Sequence, residues 1–455
     1  MFIKRLSIFL SISLIGAAGF LYELTAPLLL SSANYGADGG DYLAAVLTKG
    51  VPHPTGYPLY LILSDFVQRI FGGGFVWRQA QASILPAAIC VGIVFWLVLN
   101  KLKTQPSTVR FASAVIASIA LSISPLFWAQ AVTIEVYALN SLMIVLGLLW
   151  VELVFSDEEN PPNSAKMLII CLAWICGLGL GNHRTFILIY PLVGIGIYTL
   201  LRVKHSKRTA ILSAVGWLSG ILTYLILPIR AAAHPPVNWG DASTLQGFTW
   251  LVSGGDYYKL LFGIGLQEYP ARFLAWSRLL VEQFGVIGCL TGLWGLFSEK
   301  ICSRVRWMLV YIFCAYTLFA LGYKTNDSLV YLLPAMIVFA IWIGWGINEA
   351  LQLKWRGIRV GIILPLLLLL QLGIMLPGRF QAASARTGDL AHYAETTLNN
   401  SEQGAIVFPD TDGETFALWY YQYGLGVRPD VKIISNGLLQ YQWYREQLKR
   451  IYPGY

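Results

Sequence analysis

The sequence predicts an all-α polytopic membrane protein with about eleven transmembrane helices and a small α/β domain at its C-terminal end. Three observations carry that prediction. Of 455 residues, 56% are hydrophobic and only 12% are charged, about half the charged share of a soluble domain. The apolar residues fall in long continuous runs, with a mean hydropathy of +0.61, where a β-barrel would alternate in short segments. Short basic connectors alternate with longer segments poorer in Lys and Arg. A soluble cytosolic enzyme, a disordered chain and a fibrous repeat are excluded. The net charge of +8 belongs to loops and lipid headgroups, so membrane lipids are expected partners and nucleic acid is not.

The first apolar run, Leu6 to Leu30, follows Lys4 and Arg5 and is too long for a signal-peptide core, so it reads as a retained span. Further spans are expected at 81–100, 108–127, 138–155, 167–181, 184–201, 210–229, 281–298, 307–322, 329–350 and 358–377. The loops 101–107, 202–209 (with Lys204), 299–306 and 351–359 (with Arg356 and Arg359) are short and basic. By the positive-inside rule they are cytoplasmic, as is the N-terminus. The segment 156–166 should join them although it begins Ser156-Asp157-Glu158-Glu159, since acidic residues weigh little in that rule.

The opposite side then holds a first outer loop, 31–80, a large outer loop, 230–280, and a tail, 378–455. Residues 1–377 form the membrane domain. In the tail, Ala405 to Pro409 and Val431 to Ser435 read as strands around a helix from Glu414 to Tyr423, a β-α-β pattern packed against the membrane domain. The protein is thus expected to be integral and multi-pass with an extracytoplasmic C-terminal domain, in the plasma membrane if the source is prokaryotic. The six cysteines imply neither a disulfide framework nor a metal site.

The outer side carries the chemistry-bearing residues. Asp38-Gly-Gly-Asp41 sets two carboxylates on one face of any helix beginning there, and Pro52-His53-Pro54-Thr55-Gly56-Tyr57-Pro58 is a stiff run that fixes His53. Alternatively, Asp38 merely caps the helix 39–49 and the prolines end it. Glu135 is a lone charge between two apolar spans, which makes it a site candidate or a buried partner of Arg78 or Arg184. His183, Arg184 and Arg230 lie at outer span ends, against the positive-inside bias, and suit an anion; snorkelling to lipid phosphate is the alternative. Trp239, Asp241 and Tyr257 sit in an outer loop rich in aromatic and acidic residues. That composition suits sugars, or an interfacial aromatic belt. No Walker loop, HExxH or GxSxG occurs, which weighs against ATP-driven transport.

The motifs Asp38-x-x-Asp41, Gly50-Val-x-His53-Pro-x-Gly56-Tyr57-Pro58, Phe127-Trp128-x-Gln130-Ala, Glu135-Val-Tyr-Ala-Leu-Asn140, Gly-Asn-His183, Leu-Pro-x-Arg230, Asn238-Trp239-Gly240-Asp241, Phe416-x-Leu-Trp-Tyr420 and Arg428-Pro-Asp-Val431 occur in this order. Together they resemble a membrane family long labelled only as a domain of unknown function. That family is similar to GT-C glycosyltransferases and has a eukaryotic member that is a protein O-mannosyltransferase.

The resemblance implies a GT-C-like fold, a catalytic acidic residue in the first outer loop and a polyprenyl-phosphate sugar as donor. Asp38 occupies the family's aspartate, and Asp41 stands where a glutamate is expected. The expected activity is transfer of a sugar, mannose by the resemblance, to an extracytoplasmic protein or glycan hydroxyl, with inversion. Asp38 and Asp41 are the expected catalytic residues. His53, Arg78, Glu135, His183, Arg184 and Arg230 are the expected donor-side residues, supplying cations to the leaving phosphate. Tyr57, Trp239, Asp241 and Tyr257 are expected to bind sugar or acceptor. A divalent metal on the two aspartates is conceivable, but their spacing does not support one. The alternative function is a lipid-linked-sugar transporter or flippase with no transfer chemistry.

Overall fold

The computed structural model describes residues 2–155, 163–202, 207–354 and 360–454. The acidic stretch Ser156–Glu159 and Lys204, Arg356 and Arg359 of the expected basic loops lie outside the described residues. Among those described, nine helices are long and apolar enough to cross a membrane, from Ile3–Glu23 to Val360–Ala383. Two expected spans take another form. Residues 108–127 are met by Ser107–Ser122 and Pro125–Val132, bent by 63°, and 167–181 by the shorter helix Lys166–Gly181. The helix expected at 281 begins already at Leu266, so the large outer loop is shorter than the sequence suggested.

Ser328–Leu351 is the hub: 94% of its most apolar stretch is buried, against 22% for the first and last membrane helices. It packs on the helices Ser107–Ser122, Tyr269–Leu296 and Ser303–Gly322. At one end of the bundle Lys101 pairs with Glu152 at 3.3 Å, Lys300 with Glu349 at 2.9 Å, and Arg304 stacks on Phe155. The described connectors 101–107 and 299–306 thus share one end, and the candidate site lies towards the opposite ends of the helices Phe75–Lys101 and Tyr137–Val154.

Breaks in the bundle are mended by side chains, as they must be where no water can replace a lost backbone hydrogen bond. Tyr269–Leu296 is interrupted at Gly285, whose φ of 68° favours glycine. Gln371 spans the interruption, donating to the Phe284 carbonyl and accepting from the Ile287 N–H, both at 3.1 Å. Gln283 accepts from the Leu126 N–H, an unpaired donor at the start of Pro125–Val132. Arg379 donates to the carbonyls of Ile123, Glu282 and Gln283.

In the tail, Ile406–Val407 and Lys432–Ile433 pair in parallel, with Asp412–Trp419 between them. Thr411 and Glu414 form a capping box that starts this helix two residues before the expected Glu414. The helix lies on Gly39–Leu47 of the first outer loop. Gly40 makes that possible, because a Cβ there would sit 2.4 Å from the Phe416 carbonyl oxygen. Gly40→Val is therefore expected to destabilise the protein by about 1–3 kcal/mol. It should also speed proteolytic clipping near residue 400, read by thermal unfolding and limited proteolysis in detergent.

Candidate active site

The turn Ala33–Asp38 carries Asn34 and Tyr35 at φ 61° and 66°. It is held by Asn34 donating to the Ala383 carbonyl and Gln130 donating to that of Asn34. Thr133 and Ile134 press on Gly36 and Gly39 from the other side. Asp38 thereby arrives at the mouth of the helix Gly39–Leu47 without capping it, for its side chain makes no cap hydrogen bond.

One turn on, Asp41 is completely buried. Its Oδ2 accepts from the His53 backbone N–H at 2.9 Å and from His53 Nδ1 at 2.7 Å, and its Oδ1 accepts from Trp239 Nε1 at 3.0 Å. With Nδ1–H donated to Asp41, His53 turns Nε2 to Asp38 Oδ2, 3.4 Å away. The imidazole is wedged by Tyr42 and Tyr57, with ring centroids 5.2 and 5.1 Å distant, and lies parallel to Phe416 of the tail. Tyr57 is fixed in turn by donating to the Pro54 carbonyl at 2.9 Å.

Asp38 keeps 37% of its side chain accessible. Its enclosed position nevertheless pushes its carboxyl up to about 6; His53 pulls the other way, and Asp41, Asp412 and Asp327 add repulsion. Burial disfavours charge on His53, yet Asp38 and Asp41 together hold its proton above the ordinary histidine range. Glu135 is 3% exposed. Burial and then Asp38 raise its carboxyl well above the usual value. Among the described residues it forms no ion pair, so neither Arg78 nor Arg184 is the partner the sequence suggested.

The expected cations are dispersed. His183 Nδ1 accepts from the Thr185 N–H at 3.3 Å, and burial, Arg184 and His53 push its pKa down to about 3. It is a neutral group with Nε2–H left to donate, not a cation. Arg230 is bound to Asp65 and the Gly50 carbonyl, which makes it a brace beneath the His53 loop. Arg78 donates to the Gln68 carbonyl and stacks on Phe75 at 4.5 Å. Arg184 is exposed, bonded to the Ser253 carbonyl, and near enough to act on His183.

Trp239 is packed against Phe416, Trp419 and Trp443, and its indole N–H is spent on Asp41, so it acts here within the protein's own packing. Asp241 is taken up by Ser243 and Asn238 in its own turn. Tyr257 is 43% exposed, and Asp38 and Asp412 add to the burial that raises its phenol. The sequence reading did not single out Asp412 as a site residue, yet it acts on Asp38, as does Asp327. The Thr411-x-x-Glu414 capping signature could have exposed Asp412 as a free first-turn carboxylate. Among the described residues no group of three or more His, Cys, Asp or Glu is arranged to hold a metal ion.

The fold is similar to that of GT-C membrane glycosyltransferases. Residues 38–207 match the family model described as the protein O-mannosyl-transferase TMEM260 N-terminal domain, and residues 390–453 match TMEM260-associated domain 2. The mouse (Mus musculus) protein O-mannosyl-transferase TMEM260 is 25% identical over 98% of this chain and 65% of its own length. The chain thus spans somewhat under two thirds of that relative. Among solved structures, ArnT from Cupriavidus metallidurans bound to undecaprenyl phosphate aligns with a TM-score of 0.57 at 11% identity, over 94% of this chain and 89% of that one. Archaeoglobus fulgidus AglB, an archaeal oligosaccharyltransferase in complex with an inhibitory peptide and a dolichol-phosphate, aligns at 0.52 and 12%, over 94% and 64%.

Arg230→Met is expected to cost about 1–3 kcal/mol of stability, the loss being limited because Lys49 also holds Asp65, at 2.5 Å. A lowered unfolding midpoint with unchanged affinity for a lipid phosphate, measured by titration in detergent, would confirm the bracing role.

Proposed function

We propose that the protein transfers a sugar from a polyprenyl-phosphate carrier to a hydroxyl on an extracytoplasmic protein or glycan, with mannose as the sugar implied by its relatives. The observation that carries this reading is the line Trp239–Asp41–His53–Asp38, which ends in a carboxylate that stays accessible. Asp38 takes the proton of the acceptor hydroxyl. As the acceptor oxygen bonds to the anomeric carbon, the bond from that carbon to the phosphate oxygen breaks and its electron pair leaves with the phosphate. A single displacement of this kind inverts the anomeric centre, through a transition state of oxocarbenium character.

Asp41 is a positioning residue in this scheme. Its oxygens are fully engaged, and it fixes the tautomer and tilt of His53 as second-sphere carboxylates do elsewhere. His53 stands beside Asp38 and restrains it. Arg184, exposed next to neutral His183, is the cation best placed to meet the departing phosphate. The undecaprenyl phosphate held by ArnT and the dolichol-phosphate and peptide held by AglB support a lipid-phosphate donor and a protein acceptor.

Asp38→Asn is expected to lower transfer by about 10²- to 10⁴-fold while donor binding persists. Mass analysis of products from purified protein and a panel of polyprenyl-phosphate sugars reads this out. Labelled lipid crossing the bilayer with no new glycosidic bond would overturn the reading in favour of a flippase.

Asp38 must be unprotonated to act. Since its pKa is raised to about 6, kcat/KM should fall as pH drops through that value and level off above it. Trp239→Phe keeps the ring but removes the donor to Asp41. It should reduce kcat by about 10- to 100-fold and move this acid limb, which loss of packing alone would not do.

A further inference from the structure

We infer that the transferred sugar ring is held beside Asp38 by Glu135, Asp327, Tyr137, Tyr331 and His183, with Glu135 accepting a hydrogen bond from one ring hydroxyl. This deepens the transferase reading and rests on it.

Glu135 lies immediately behind the Asp38 turn, because Thr133 and Ile134 make the contacts with Gly36 and Gly39. Its own backbone is pinned, the N–H to the Thr133 carbonyl at 2.8 Å and the carbonyl to Ser83 at 3.1 Å. The side chain is nonetheless poorly served. It has the Val136 N–H at 3.4 Å and the Tyr42 hydroxyl, and no cation among the described residues. A carboxylate has about four acceptor positions, and burying one so incompletely paired is costly. Asp41, also buried, shows what full pairing by protein donors looks like. The contrast marks Glu135 as awaiting donors from a ligand.

The surroundings specify what kind. Tyr137, His183 and Tyr331 form a triangle of rings with centroids 5.5, 5.7 and 5.8 Å apart. Tyr57, stacked on His183 at 6.3 Å, joins this triangle to the His53 line. His183 is anchored by its neighbours, Asn182 donating to the Val136 carbonyl at 2.9 Å and Asn140 donating to Thr185. With Nδ1 occupied by Thr185, its Nε2–H remains to be offered. Asp327 neither caps the turn Ser328–Leu332 nor pairs with a cation among the described residues, and it acts electrostatically on both Asp38 and Glu135. Aromatic faces, two acceptors and one neutral donor suit a polyol, with its C–H face on the rings and its hydroxyls on the carboxylates.

The test measures equilibrium binding of polyprenyl-phosphate mannose and its 2-, 3-, 4- and 6-deoxy analogues in the Asp38→Asn background, where turnover does not interfere. Adding Glu135→Gln is expected to weaken the parent donor by about 10- to 100-fold and to leave unchanged one analogue, the one lacking the contacted hydroxyl. Asp327→Asn, on a more exposed segment, should show the same selectivity at a different hydroxyl. Equal losses across all analogues, or none, would overturn the inference. Binding of no polyprenyl-phosphate sugar by the unsubstituted protein would overturn the transferase reading itself.

Discussion

A carboxylate sealed from water needs every oxygen satisfied, and the site-bearing half of this protein is arranged around meeting that demand for Asp41. Desolvating such a group costs several kcal/mol, offset here by charge-assisted bonds from three donors. Those donors come from the His53 loop, through backbone and ring, and from Trp239 of the large outer loop. The first outer loop and the large one are also joined at the bridge between Val51 and Asn238. The tail closes the arrangement by stacking Phe416 on His53 and packing Trp419 and Trp443 on Trp239. Three segments distant in sequence thereby fix one imidazole, and through it the surroundings of Asp38.

The membrane half solves a related problem by other means. Its helices are interrupted at Gly285 and between Ser122 and Pro125, and each interruption frees backbone groups. Gln283, Gln371 and Arg379 take up the freed groups with their side chains. These polar residues within apolar spans are structural, whereas Glu135, buried on the connection between Pro125–Val132 and Tyr137–Val154, has no comparable set of bonds. The distinction between the two kinds of buried polar residue lies in what they bond, and composition alone does not reveal it.

That is also where legibility in the sequence ends. The spans were readable because hydropathy depends on composition over a window, and the tail strands because their β-branched runs are bounded by turns. The proximity of Asp38, Asp41 and His53 was suggested by the stiff proline-flanked run. Their division of labour was not, since it depends on which oxygen meets which nitrogen across loops nearly 200 residues apart. Arg230 illustrates the difficulty from the other direction. Its position at an outer span end suited an anion, but Asp65, an unremarked carboxylate one helix away, had already claimed it. His183 likewise carried a residue type that suggested charge, while burial and the neighbouring Arg184 removed that option.

The contact between Gly40 and the Phe416 carbonyl has an evolutionary consequence. A backbone-to-backbone approach leaves no side chain that can be traded to absorb a change in spacing. The first outer loop and the tail helix are therefore obliged to drift as a pair: lengthening or side-chain growth on one face must be answered on the other. Such reciprocal constraint couples the fit of the tail to the first 50 residues of the chain, so a tail of different shape calls for a matching change in the helix Gly39–Leu47.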